Sequence, residues 1–165
     1  MILIIAAYLL AIVSANLLAA RYGPAASIPI AFVFIGFDLV ARDKLHDAWG
    51  RHGRFGLAWR MLVLIAAGGA ISYALNAGAG QIALASTVAF AAAAAIDAVV
   101  YQVLSRRDAL VRSNGSNVPA AAVDSLLFPT IAFGGFLPWV VAGQFAAKVC
   151  GGLIWSLILY RRRSQ

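Results

Sequence analysis

Asp38, Asp97 and Asp124 each stand inside a long apolar run, Lys148 stands inside another, and Arg60 lies close to the end of a further one. A charge at mid-bilayer costs roughly 2.5–3.5 kcal/mol on insertion scales, so each such group must face a bundle interior, a partner or water. A carboxylate in that position can accept adjacent N–H donors in a bidentate way, hold a proton, or pair with a buried amine. Arg42 follows Asp38 by one helical turn, Gln144 precedes Lys148 by one turn, and Asn16 adds an amide from the first apolar run. Six charged and two amide groups among so many aliphatic ones ask for a site inside a helical bundle.

The rest of the chain supplies the bundle. It has 165 residues, 63% of them hydrophobic, against roughly 45–50% in soluble domains, and a mean hydropathy of +0.89. It reads as an integral membrane protein whose surroundings are the lipid bilayer. The formal net charge of +7 does not indicate nucleic acid as a partner, because the basic residues form short clusters between apolar runs and no continuous basic face. Cys150, the one cysteine, excludes an intramolecular disulfide and is expected to be a buried, inert thiol. The run from Ile2 to Ala20 lacks a basic leader and is read as a first span, not a cleaved signal.

About 20 helical residues cross a hydrocarbon core. Cutting at charged clusters and turn residues places six spans at 2–20, 27–43, 57–76, 80–104, 118–137 and 139–160. "NAGAG" (Asn76 to Gly80) divides an uncharged stretch too long for one span, and "GFLPW" (Gly135 to Trp139) turns the last pair, with Pro138 ending one helix or starting the next. "SNGSN" (Ser113 to Asn117) is read as a linker, Asn117 capping the fifth helix. Arg42, Lys44, Arg51, Arg54, Arg106, Arg107, Arg112 and Arg161 to Arg163 fall on one side, Arg21 alone on the other. The positive-inside rule then makes both termini cytoplasmic. The fold class expected is all-α, with residues 1–165 as a single six-helix transmembrane domain. Gly68, Gly69, Gly151, Gly152 and the alanines of Ala89 to Ala95 allow close helix packing.

This topology sets depth. Asp97 and Asp124 both come out about 9–10 Å inside the cytoplasmic boundary at 1.5 Å per residue, Asp38 and Arg42 reach the same half, and Lys148 with Gln144 lies nearer the middle. One shared polar cavity is the expectation. Simpler readings stand beside it: an Asp38–Arg42 pair closing a helix end, a structural Asp124–Lys148 bridge, Arg60 snorkelling to the interface, and Asn16 bonding a neighbouring helix. Pro129 removes a backbone bond to the Ser125 carbonyl, so a kink or local opening of the fifth helix is expected there. His46 and His52 beside Asp43 and Asp47 invite a metal reading, but the loop is equally rich in Lys and Arg and a solvated face explains it. No metal, cofactor or catalytic residue is expected.

"SAN" (Ser14 to Asn16), "FDLVAR" (Phe37 to Arg42), "AVDSLLFPTIAF" (Ala122 to Phe133) and "FAAKV" (Phe145 to Val149) resemble, in this order and across nearly the whole chain, the VUT family of queuosine-precursor transporters. The resemblance implies a multi-pass, six-helix protein of the inner membrane that imports 7-cyano-7-deazaguanine (preQ0) or a related 7-deazaguanine base. It implies that Asn16, Asp38, Arg42, Asp97, Asp124 and Lys148 occupy the family's characteristic polar positions. The chain departs from the pattern in its short termini and outer loops and in Pro129 and Thr130, where aromatic or aliphatic residues are expected.

The residues suit such a ligand on chemical grounds as well. A deazaguanine presents adjacent N–H and NH₂ donors to one carboxylate, Asp124 or Asp97, while its carbonyl accepts from Asn16, Gln144 or Lys148. Phe128, one turn from Asp124, and Tyr101, one turn from Asp97, are candidate stacking faces, although aromatic residues at helical spacing also serve ordinary packing. Two further classes compete with a transporter. One is a substrate-capture subunit of a multi-subunit vitamin-type importer. The other is a membrane enzyme, against which stands the lack of a nucleophile beside a base. Oligomeric state is open, a homo-oligomer included.

Overall fold

The structure is a computed structural model that describes residues 2–49 and 54–161. Six α-helices account for most of them: α1 (Ile2–Ile30), α2 (Gly36–Trp49), α3 (Arg54–Leu75), α4 (Gly80–Val103), α5 (Ala109–Ala132) and α6 (Pro138–Arg161). A π-helical turn, Ala31–Ile35, joins α1 to α2, and a 3₁₀ turn, Ala77–Ala79, joins α3 to α4.

Residues are distributed as lipid requires. Tyr8, Asn16, Asp38, Arg42, Asp97, Asp124, Gln144 and Lys148 are buried, whereas Leu62, Val63, Leu84, Val99, Leu126, Leu153, Ile154 and Leu157 are exposed on the outside of the bundle. Water would reverse this arrangement; hydrocarbon favours it. Small residues form much of the interior: Ala93 of α4 packs with Ala120 and Ala121 of α5 and with Leu39 of α2, which lets backbones approach closely where apolar attraction between helices is weak. Among the described residues, three stretches are long and apolar enough to cross a membrane, Ile2–Leu45, Ala77–Val103 and Pro138–Leu159, and Trp59–Leu75 is a shorter apolar helix. In α5 the polar first turns lower the hydropathy.

The stretch Ile2–Leu45 is 44 residues long, about twice what a bilayer core needs at 1.5 Å per residue. Its break is at Gly23, with φ 77° and ψ −164°, a region that essentially only glycine occupies, and Pro24 further excludes helical backbone at the residue before it. The chain folds back there. Tyr8 and Ile12 consequently share a core cluster with Ala31, Ile35, Ala41 and Leu45. The loop expected at 21–26 is thus reduced to one residue, with helix resuming directly after it. A Cβ on Gly23 or on Gly135 meets nothing within 4 Å, but only Gly23 of this pair has positive φ. Gly23→Ala is therefore expected to lower stability by about 1–3 kcal/mol and Gly135→Ala to leave it unchanged, as thermal unfolding in detergent would measure.

Other turns agree with their sequence. The Asn76 side chain accepts from the Gly78 N–H at 3.0 Å, an Asx turn that closes the α3–α4 connection. After α5, Gly134 takes φ 70° as a C-terminal glycine does, and Pro138 starts α6, where a missing N–H costs no helical bond.

Three expectations are corrected. "SNGSN" is no linker: α5 begins at Ala109, not 118, and Ser113, Ser116 and Asn117 are buried within it. Their amide and hydroxyl groups bond inside the bundle, Asn117 to the Ser113 hydroxyl at 3.4 Å and Asn114 to Ser156 of α6 at 3.0 Å, so polarity that reads as loop is helix-to-helix adhesion. Helix α5 also runs through Pro129 to Ala132. Because Pro129 lies in the last turn, little helix remains to be kinked away. Cys150 is exposed, not buried. The His46 side chain and all of Arg51 and His52 lie outside the described residues.

Candidate functional site

The fold-back at Gly23 carries Ser27 to the middle of the bundle, where its hydroxyl donates to the Pro24 carbonyl at 2.5 Å and accepts from the Gln144 amide nitrogen of α6 at 2.8 Å. The amide oxygen of Gln144 accepts from Lys148 Nζ, one turn along, at 2.7 Å. Lys148 in turn pairs with Asp124 of α5 at 2.7 Å, both side chains being almost wholly buried. One chain of polar contacts therefore links α1, α6 and α5 across the core. Its members hold one another's orientation: with both ends of the Gln144 amide engaged, Lys148 is directed at one oxygen of Asp124. The other oxygen, Asp124 Oδ1, has no partner, nor has the neighbouring Ser125 hydroxyl.

Around this chain lies a small cavity lined by Asn16, Ser27, Asp124, Phe128, Gln144 and Lys148, with Ser86 and Phe90 of α4 closing its far wall. The Phe128 ring centroid is 6.0 Å from Lys148 Nζ, a cation–π separation. The cavity leaves about 20 Å³ for the centre of a water-sized sphere, room for about one water. In this conformation it is too small for anything larger.

A second polar set lies beside the first. Arg42 Nη2 donates to Asp38 Oδ2 at 3.0 Å, and the guanidinium is also within electrostatic reach of Asp97 and Asp124. Asp38 Oδ1, Asp97 Oδ1 and the Nε and Nη1 of Arg42 are buried without hydrogen-bond partners. Buried polar atoms are seldom left unpaired, so this unused hydrogen-bonding capacity is unusual.

The structure thus divides the residues read from the sequence. Asn16, Asp124, Phe128, Gln144 and Lys148 line one cavity. Asp38, Arg42 and Asp97 do not line it and form the adjoining set, which corrects the expectation of a single shared cavity: side chains at similar depth lie at different angles around the bundle axis. Asn16 keeps both roles, lining the cavity and donating to the Ser72 hydroxyl of α3 at 3.0 Å. Tyr101 is no free stacking face, because the Arg112 guanidinium covers its ring at 4.4 Å. Arg60 lies over the Trp49 ring at 5.7 Å, at the edge of the bundle. Among the described residues, no group of three His, Cys, Asp or Glu side chains is placed to hold a metal.

Sequence reasoning missed Ser27, Ser86 and Phe90. Ser27 is the first residue of the second expected span and carries no charge that would mark it. Ser86 and Phe90 share a buried face of α4 with Ala93, Asp97 and Tyr101, a helical spacing that leads back from the acid to the cavity wall.

Inward-facing charges and amides, outward-facing aliphatic side chains and a small cavity between helices define a membrane-embedded helical protein. Over residues 2–161 the chain matches the model of the family described as "Putative vitamin uptake transporter". The chain belongs to this family of membrane transporters. No curated protein and no solved structure matches it.

Proposed function

We propose that the protein imports a 7-deazaguanine base, 7-cyano-7-deazaguanine (preQ0) or a close relative, across the inner membrane, and that it releases the base unchanged. The observation that carries this reading is the unpaired Asp124 Oδ1 in a cavity faced by Phe128. A carboxylate whose second oxygen is held by Lys148 offers an oriented acceptor for the N–H and NH₂ edge of a flat base, and Phe128 offers an apolar face for its ring. The third proton of Lys148 and the Asn16 amide are the groups for the base carbonyl. Gln144, with both ends engaged, acts by aiming Lys148. Since the cavity holds about one water, the base enters a wider conformation and the closed one is a step between outward and inward openings.

The reading includes topology. The helical rods 2–22, 24–49, 54–75, 77–103, 109–132 and 138–161 are six spans, with the arginine-rich connections and both termini on the cytoplasmic side. Uptake of labelled preQ0 into liposomes holding only the purified protein tests the function, together with queuosine in the tRNA of a strain unable to make or import preQ0. Accumulation and rescue are expected, and Asp124→Asn, which also leaves the Lys148 charge unpaired and is therefore read per amount of folded protein, should lower uptake by about 10–100-fold, the value of hydrogen bonds to a charged acceptor. Binding without uptake by the pure protein would assign it instead to a multi-subunit importer. Neither binding nor rescue, with the protein confirmed in the membrane, would overturn the reading.

A further inference from the structure

Three consecutive side chains near the start of α5 reach three different helices. The Arg112 guanidinium lies over the Tyr101 ring of α4 at 4.4 Å, the Ser113 hydroxyl donates to the Asp43 carboxylate of α2, and the Asn114 amide nitrogen donates to the Ser156 hydroxyl of α6 at 3.0 Å. Successive residues of a helix point about 100° apart, so this one turn is held from three sides. Asp43, Ser113 and Ser156 are wholly buried, and Asp43 and Arg112 make further interactions as well.

The turn lies to one side of the cavity. Asp124 is eleven residues of helix beyond Ser113, about 16 Å, and Ser156 is eight residues beyond Lys148, about 12 Å. These contacts therefore close the bundle between the cavity and the connection that holds Arg106 and Arg107. Between the turn and the cavity the helix has a weak point. Pro119 stands inside α5 and has no N–H to give the Gly115 carbonyl, so one rung of the backbone ladder is missing there. A helix bends at such a gap more readily than elsewhere, although in this conformation α5 runs continuously through it. The chemistry of the turn also suits repeated opening: hydrogen bonds that pass to water are exchanged, not lost, whereas apolar surface exposed to water is left uncompensated.

We infer that residues 109–115 are an inner gate, which swings about the gap between Gly115 and Pro119 and opens the cavity to the cytoplasm when Ser113 leaves Asp43 and Asn114 leaves Ser156. The inference rests on the transporter reading and the topology above. It gives the polar run "SNGSN" a task beyond adhesion: its side chains lock the closed state and become wet in the open one. Asn117, 3% exposed and bonded to Ser113 of its own helix, stands behind the gate and is reached from the cytoplasm only when the gate is open.

The test uses the full chain with Cys150→Ala in liposomes. Asn114→Cys and Ser156→Cys are introduced together and bridged by a short bifunctional methanethiosulfonate. Bridging should lower uptake of labelled preQ0 at least tenfold and reduction of the bridge should restore it; a bridged protein that transports as before would show a fixed anchor and overturn the gate. A second measurement needs no substrate. With Asn117→Cys as reporter, a membrane-impermeant thiol reagent should label inverted vesicles and spare right-side-out ones. Adding Asn114→Ala should speed labelling about 2–10-fold, the value of one hydrogen bond, and Pro119→Ala, which restores the missing rung, should slow it about tenfold. No labelling in inverted vesicles, or a rate that neither change moves, would overturn the inference. If preQ0 is not taken up at all, the assigned cargo fails and the labelling rates still decide the gate.

Discussion

Lys148→Gln is expected to remove most of the folded protein from the membrane, and Asp124→Asn added to it is expected to bring the protein back without its uptake. Lys148 Nζ and Asp124 Oδ2 are 2.7 Å apart, with both side chains almost wholly buried. Removing one partner of a buried ion pair leaves a charge with neither water nor counter-charge, at a cost of about 3–5 kcal/mol, a large share of what a small protein has. Removing both charges deletes attraction and desolvation together and is often close to neutral. A glutamine at 148 can still donate to the Gln144 oxygen, and an asparagine at 124 can accept from it. Expression followed by size-exclusion in detergent reads the folded fraction, and labelled preQ0 reads function. A purely structural bridge predicts that the double variant transports; an acceptor role for Asp124 predicts that it folds and does not. This pair of readouts separates the two meanings that a buried acid beside a buried lysine carries.

Gly36→Ala and Gly151→Ala are also expected to be damaging, for a steric reason. A Cβ on Gly36 would come within 2.7 Å of the Gly151 carbonyl carbon and 2.8 Å of its Cα, and a Cβ on Gly151 would run into the Phe32 carbonyl. These are backbone atoms, so no rotamer change makes room and the two elements must move apart. Overpacking of that kind costs about 1–3 kcal/mol or more. The separation would also strain the contacts that tie α6 to the π-helical turn: the Trp155 indole donating to the Val33 carbonyl at 3.0 Å and the edge-on packing of Phe37 against Trp155 at 5.1 Å. A π turn weakens its own backbone ladder, and here a carbonyl of that turn is taken up by the neighbouring helix. Gly152→Ala is the control. The nearest atoms to its Cβ are at 3.9 Å, an ordinary contact, and its unfolding temperature should stay near that of the wild type.

Much of this was legible before any coordinates. Apolar runs separated by arginine clusters declared a membrane protein, because lipid leaves the chain no alternative to helices. The turns at Asn76 and Pro138 were readable because Asn and Pro act through local geometry, over two or three residues. The same locality misled at "SNGSN". Its residues favour turns in water, but inside a bundle their side chains find partners on other helices, and tertiary hydrogen bonds outweigh a propensity worth less than 1 kcal/mol per residue. A break between residues 20 and 27 was expected, but not one made by Gly23 alone.

The types of the polar residues follow from sequence alone, and an expected depth follows from helical rise along each expected span. Their partners do not. Whether Asp124 meets Lys148, whether Asp97 shares the cavity, and whether Ser27 and Phe90 belong to its wall depend on the rotation of each helix about its axis. That rotation is decided by which small residues let backbones touch, as Gly36 and Gly151 do, and by which side the chain takes when it folds back at Gly23. A periodic pattern gives every helix a face; only packing against the other helices decides what that face meets.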